Sequence, residues 1–147
     1  MSPAWVLAAE GQFGDGTIDN WFLRPEVHRT SGVIVVVAMV ASTIHLVRLA
    51  LKGRSLDRTG RILLAVAQVT LMVQALLGIK LLDQGMGANQ LYIHYLGGLM
   101  PLGFFIAASW FGRADDPKRT RVLAVLTTAG MISAAMAFSI GQAYVNR

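Results

Sequence analysis

The chain has 147 residues, 54% of them hydrophobic and only 14% charged, where a soluble domain carries about 25% charge. It contains no cysteine, which excludes disulfides, thiolate ligands and cysteine-held iron–sulfur clusters. The net charge of +5 does not signal nucleic acid, because Lys and Arg gather in two short connections rather than along one face.

Residues 1–24 are rich in Gly and acidic residues, with Trp5, Phe13, Trp21 and Phe22 interspersed. Such aromatics suit a segment lying on the outer headgroups. Met1–Ala9 lacks a basic n-region and a full apolar h-region, so no signal peptide is expected. The mean hydropathy is +0.54. Four apolar blocks follow, roughly Ser31–Leu51, Ile62–Leu82, Leu91–Phe111 and Val122–Tyr144. Each is about long enough to cross a ~30 Å hydrocarbon core. The expected fold is all-α: an integral membrane four-helix bundle over residues 25–147, preceded by the interfacial segment at 1–24.

Pro25 is placed in the first turn of helix one, where its missing N–H costs nothing. His28 then lies about one turn into the helix. The second helix carries a polar stripe of Gln68, Thr70 and Gln74, then Gly78, with Lys80 near its outer end and Gly85 and Gly87 in the turn. Helix three contains Tyr92, His94, Tyr95, Gly97, Gly98 and Pro101. Helix four is rich in Gly, Ala, Ser and Thr, which lets membrane helices approach closely. No internal repeat is evident in the sequence.

The connections decide orientation. Lys52, Arg54, Arg58 and Arg61 lie in the first, and Arg113, Lys118, Arg119 and Arg121 in the third. The stretch Asp83–Gln90 has neither Lys nor Arg. The positive-inside bias makes the basic loops cytoplasmic in a multi-pass protein of the cell membrane, with both termini outside.

Ionisable groups within membrane helices are costly and tend to be functional. His28 and His94 open odd-numbered spans, which run in the same direction, so both imidazoles are expected at one depth near the outer face. Two facing imidazoles are the arrangement that grips a heme iron from both sides. The axial nitrogens must then lie roughly 4 Å apart. Gly97 and Gly98 leave room for a flat macrocycle, and Arg29 or Lys80 can pair with propionates. The ordinary role of a single histidine near a helix end is a hydrogen bond to a loop or headgroup. Matched depth on parallel helices favours ligation here. His45 lies 17 residues beyond His28, about 26 Å deeper, and is expected to make a structural hydrogen bond. The remaining acids near the outer face, Glu26 and Asp83, are expected at solvated helix ends. Met39, Met72, Met100, Met131 and Met136 are read as packing. There is no phosphate-binding glycine loop, Ser-His-Asp set or zinc-ligand cluster.

Three stretches, His28-Arg29-Thr-Ser-Gly, Gln74-Ala-Leu-Leu-Gly78 and His94-Tyr-Leu-Gly-Gly98, together resemble one four-helix half of a heme A synthase. The resemblance spans about residues 26–110. The family's unit places its spare helix first, whereas here it comes last. Its catalytic unit has Glu three residues before His-Arg, where this chain has Pro25, and Glu26 is one residue off. The family's frequent outer-loop cysteine pair is also missing. The resemblance therefore implies the cofactor-type unit, with heme b held by His28 and His94. It further implies one-electron transfer in contact with membrane lipid, in a homodimer or a larger redox complex. A half-size oxidase acting as a homodimer and a heme-free scaffold subunit of a respiratory or photosynthetic complex are the alternatives.

Overall fold

A computed structural model describes residues 21–86, 92–109 and 116–145. Helix α1 spans Pro25–Leu51, α2 Arg58–Asp83, α3 Tyr92–Ser109 and α4 Pro117–Val145. The expected interfacial segment over residues 1–20, the turn at Gly87 and the basic residue Arg113 lie outside the described residues.

Local signals set the helix ends. Pro25 is in the first turn of α1, where a missing N–H costs nothing. The α1–α2 connection turns through Gly53 at φ 61°, a left-handed conformation that glycine adopts without strain. Asp57 caps α2, accepting the Gly60 N–H at 2.7 Å, which satisfies one of the orphan donors of a helix start. Gly85, at φ 71°, follows the end of α2. Asp116 accepts the Lys118 N–H at 2.8 Å just before Pro117 opens α4.

Three helices, α1, α2 and α4, are long and apolar enough to cross a membrane. The third is a shorter apolar helix over its described residues. Large apolar side chains face outward on all four: Val37 is 63% exposed, Leu76 64%, Leu96 64% and Val125 68%. In water this would be one continuous apolar patch, far beyond what a soluble monomer tolerates. With hydrocarbon as the solvent it is the expected surface. The fold is thus an all-α membrane helical bundle.

Neighbouring helices run antiparallel. His28 meets Gly78 and His45 meets Gly60 across α1 and α2. Gly32 meets Phe138, and Met39 meets Gly130, across α1 and α4. Gly97 meets Ser133 and Pro101 meets Gly130 across α3 and α4. The helices pack in the order α2, α1, α4, α3, while α2 and α3 touch least. The core below the histidines is apolar, built on Val35, Met39, Leu46, Leu71, Phe105, Leu123 and Ala134. The α1–α2 connection, and the first turns of α4 with Lys118, Arg119 and Arg121, fall at the end of the bundle away from His28.

Candidate functional site

His28 on α1 and His94 on α3 come together, although these two helices do not pack directly. Their ring centroids are 6.3 Å apart and the planes cross at 71°. Each ring lies against a glycine of the following helix. A Cβ on Gly78 would lie 3.3 Å from His28 Cε1, and one on Gly141 would lie 3.1 Å from His94 Cε1. No larger residue at either position would leave the rings where they are. The α1–α2 and α3–α4 hairpins thus share one local device, a histidine of the first helix against a glycine of the second.

The shell around each ring fixes its orientation. His94 Nδ1 is 2.8 Å from the Ala137 carbonyl oxygen. A carbonyl only accepts, so Nδ1 carries the proton and Nε2 of the neutral ring keeps its lone pair. Around His28, Gln74 Nε2 donates to the His28 carbonyl oxygen at 3.0 Å. The same nitrogen is 3.2 Å from both ring nitrogens. In the ring plane that position would collide with Cε1, so the amide sits over the imidazole face, an N–H contact with the π cloud. Both in-plane nitrogen positions of His28 stay available. Ser31 Oγ bonds Gln74 Oε1 and the His28 carbonyl oxygen, which holds the amide with its nitrogen toward the ring.

A cavity of about 630 Å³ adjoins both histidines. Arg29 and Glu26, both exposed, stand at its outer rim. Gly32, Gln74, Gly78, Gly98 and Gly141 line its walls, with Val35, Leu71 and Ala134 deeper. At the outer end Gln84 is 2% exposed and Leu23 2%. The Gln84 carboxamide, oriented to satisfy both partners, donates to Leu23 O at 3.1 Å and accepts from Leu23 N at 2.8 Å.

The expected site residues divide into two groups. His28, His94, Arg29, Gln74 and Gly98 line the cavity. Gly97 instead packs α3 on α4, where a Cβ would come 3.1 Å from the Ser133 carbonyl oxygen. Of the two adjacent glycines, only Gly98 faces open space, with nothing within 4 Å of a Cβ built there. Lys80 is off the cavity wall and pairs with Asp83 at 2.9 Å. The two side chains are only 11% and 9% exposed, so Asp83 is not at a solvated helix end as the sequence suggested. His45 donates from Nε2 to Asp57 Oδ1 at 2.8 Å, the structural hydrogen bond expected of it. Ser31, Gly141 and Gln84 were not singled out from sequence. Only Ser31 had a signal, its i+3 spacing from His28.

Among the described residues no three His, Cys, Asp or Glu side chains converge, whereas an iron held through imidazoles alone needs two. Two metal–nitrogen bonds of about 2 Å, extended by about 1.1 Å to each ring centre, put axial imidazole centroids about 6.2 Å apart. The observed 6.3 Å and the free in-plane nitrogens fit that group. No protein family, curated protein or solved structure matches this chain.

Proposed function

We propose that this chain is a b-type heme protein of the membrane that transfers single electrons. The observation that carries the reading is the 6.3 Å separation of the His28 and His94 rings. They stand beside a cavity of about 630 Å³, within the usual range for small-molecule and cofactor sites. The resemblance of its His-Arg, Gln-x-x-Leu-Gly and second-His stretches to the cofactor-type unit of heme A synthases supports the same reading. When bound, heme supplies a reversible one-electron couple. His28 and His94 would hold the iron through their ring nitrogens. Ala137 and Gln74 orient those rings, an outer-shell role that sets ligand basicity. Arg29 offers a planar fork for a propionate at the outer rim. The basic connections are cytoplasmic in this reading, so the cavity opens toward the outer face.

The test is the visible spectrum of the purified protein, oxidised and dithionite-reduced. A sharp Soret band with a resolved reduced α-band is expected, with weak carbon monoxide binding. A protein without a visible chromophore, even after reconstitution with hemin, would leave the scaffold role instead.

A second reading, a half-size heme A synthase-like oxidase working as a homodimer, has one observation in its favour. Glu26 stands at the cavity rim near His28, close to where that family's catalytic unit carries Glu. Both outer histidines occupied by one iron leave no vacant position for oxygen, which favours electron transfer. Co-expression with a heme O source is expected to yield no heme A. Heme A found there, and absent from a His94→Ala control, would establish the oxidase.

A further inference from the structure

The four seams between neighbouring helices are not closed alike. The α1–α4 seam is closed around the cavity, with Gly32 against the Phe138 ring, where a Cβ would lie 3.0 Å away. The α3–α4 seam is closed by Gly97 on Ser133. The α1–α2 seam is closed by Gln74 on His28. The α2–α3 seam alone is slack, and Gly98 on that side meets no atom within 4 Å.

The cavity reaches this seam. Ala75 and Ile79 line it from α2, and Tyr95 and Leu99 from α3. Ile79 is 51% exposed and Leu99 53%, so the seam opens on hydrocarbon. The polar outer end is spanned by the buried Leu23–Gln84 clasp. A flat apolar ring with two carboxylates dissolves in a bilayer with its carboxylates at the headgroups. Arg29 stands at that level of the cavity.

We propose that the cavity is loaded sideways, a planar tetrapyrrole passing from the outer lipid leaflet between α2 and α3. The proposal rests on the heme reading above. The slot explains why Gly98, rather than Gly97, faces open space.

Ala75 and Leu99 lie within about 3 Å of one depth, counted from the Gly78–His28–His94 level. The natural chain has no cysteine, so the double variant Ala75→Cys/Leu99→Cys can be bridged selectively with a short bismaleimide. Apo protein in phosphatidylcholine vesicles is then given hemin dissolved in the lipid, and low-spin Soret growth is followed. The unbridged protein is expected to load readily. The bridged protein is expected to load about tenfold slower, since closing the route adds a conformational barrier to association. Bridging after loading should leave the spectrum and the bound heme intact. Gly98→Phe, which fills the slot without reagent, should slow loading similarly, with the apo unfolding midpoint unchanged. Loading at the unbridged rate in the bridged protein, or at the wild-type rate in Gly98→Phe, overturns the lateral route. Failure of the unbridged protein and the wild type to take up hemin at all would instead overturn the heme reading beneath it.

Discussion

The His94 imidazole is tied to the Ala137 carbonyl of α4 through Nδ1 at 2.8 Å, one turn before Gly141, whose bare Cα leaves room for the Cε1–Nδ1 edge of the ring. Ring orientation and helix contact are set by the same turn. Gly141→Ala would put a methyl 3.1 Å from Cε1 and 3.3 Å from Nδ1, forcing the ring to shift. The low-spin spectrum of Gly141→Ala should weaken or split. Gly103→Ala, which adds its methyl to open space away from the cavity, should leave it unchanged. Equal spectra for the two variants would refute this account of His94.

Removing either axial group should be decisive. His28→Ala and His94→Ala are each expected to abolish the low-spin spectrum, since one missing ligand leaves a five-coordinate or lost heme. His45→Ala removes a bond to Asp57 well away from the cavity and should leave it nearly intact. Heme lost from His45→Ala but kept in His28→Ala would reverse the assignment.

The Ser31–Gln74 contact offers a measure of how the His28 side is held. Hydrogen bonds between membrane helices average about 0.6 kcal/mol and reach about 1.7 kcal/mol. A Ser31→Ala and Gln74→Leu double-mutant cycle, read by unfolding in mixed micelles, should give a coupling in that range. Gln74→Leu should also move the heme midpoint potential, because the amide over the His28 ring is gone. A coupling indistinguishable from zero with an unmoved potential would show that Gln74 only fills space.

At the other end of the bundle the expected effect is one of pH. The Gly60 N–H, and after it His45, hold the Asp57 carboxyl below the usual carboxylate range. A lowered native value means that the unfolded chain binds the proton first as pH falls. The stabilisation is therefore complete above the ordinary carboxylate value of about 3.9 and fades as pH drops through the native one. Asp57→Asn keeps a helix cap and removes the titration. Unfolding midpoints measured from pH 6 downward should fall more steeply for the wild type than for Asp57→Asn in the acid limb. Parallel curves would rule the linkage out.

Orientation is tested by single cysteines. Ser55→Cys in the α1–α2 connection and Met86→Cys beyond α2 should label from opposite sides of the membrane, with Ser55→Cys reached from the cytoplasm. Cytoplasmic labelling of Met86→Cys would turn the cavity inward.

The helices and the meeting of His28 with His94 were legible in the sequence because both follow from length. Four apolar blocks dictate alternating direction, and a histidine about one turn into each odd block dictates matched depth. What was not legible depends on how each helix is rotated about its own axis. A soluble helix betrays its inner face through a polar outer one. Here Val37, Leu76 and Leu96 face lipid, so apolar residues surround each helix and the pattern marks no side. That is why Gly97 and Gly98 looked alike. It is also why the turn of Lys80 toward Asp83, and the support of His94 by Gly141, emerged only with the packing.

Below the cavity, Met39 of α1 and Pro101 of α3 close on Gly130 of α4, within 3.1 and 3.3 Å of where a Cβ would stand. Met39 is fully buried. A file of water or of exchangeable protons needs polar partners at short intervals, and this junction offers methyls and a pyrrolidine ring. It plugs the bundle across three of the four helices, so the space beside the histidines is a pocket with its polar mouth at one end and not a channel.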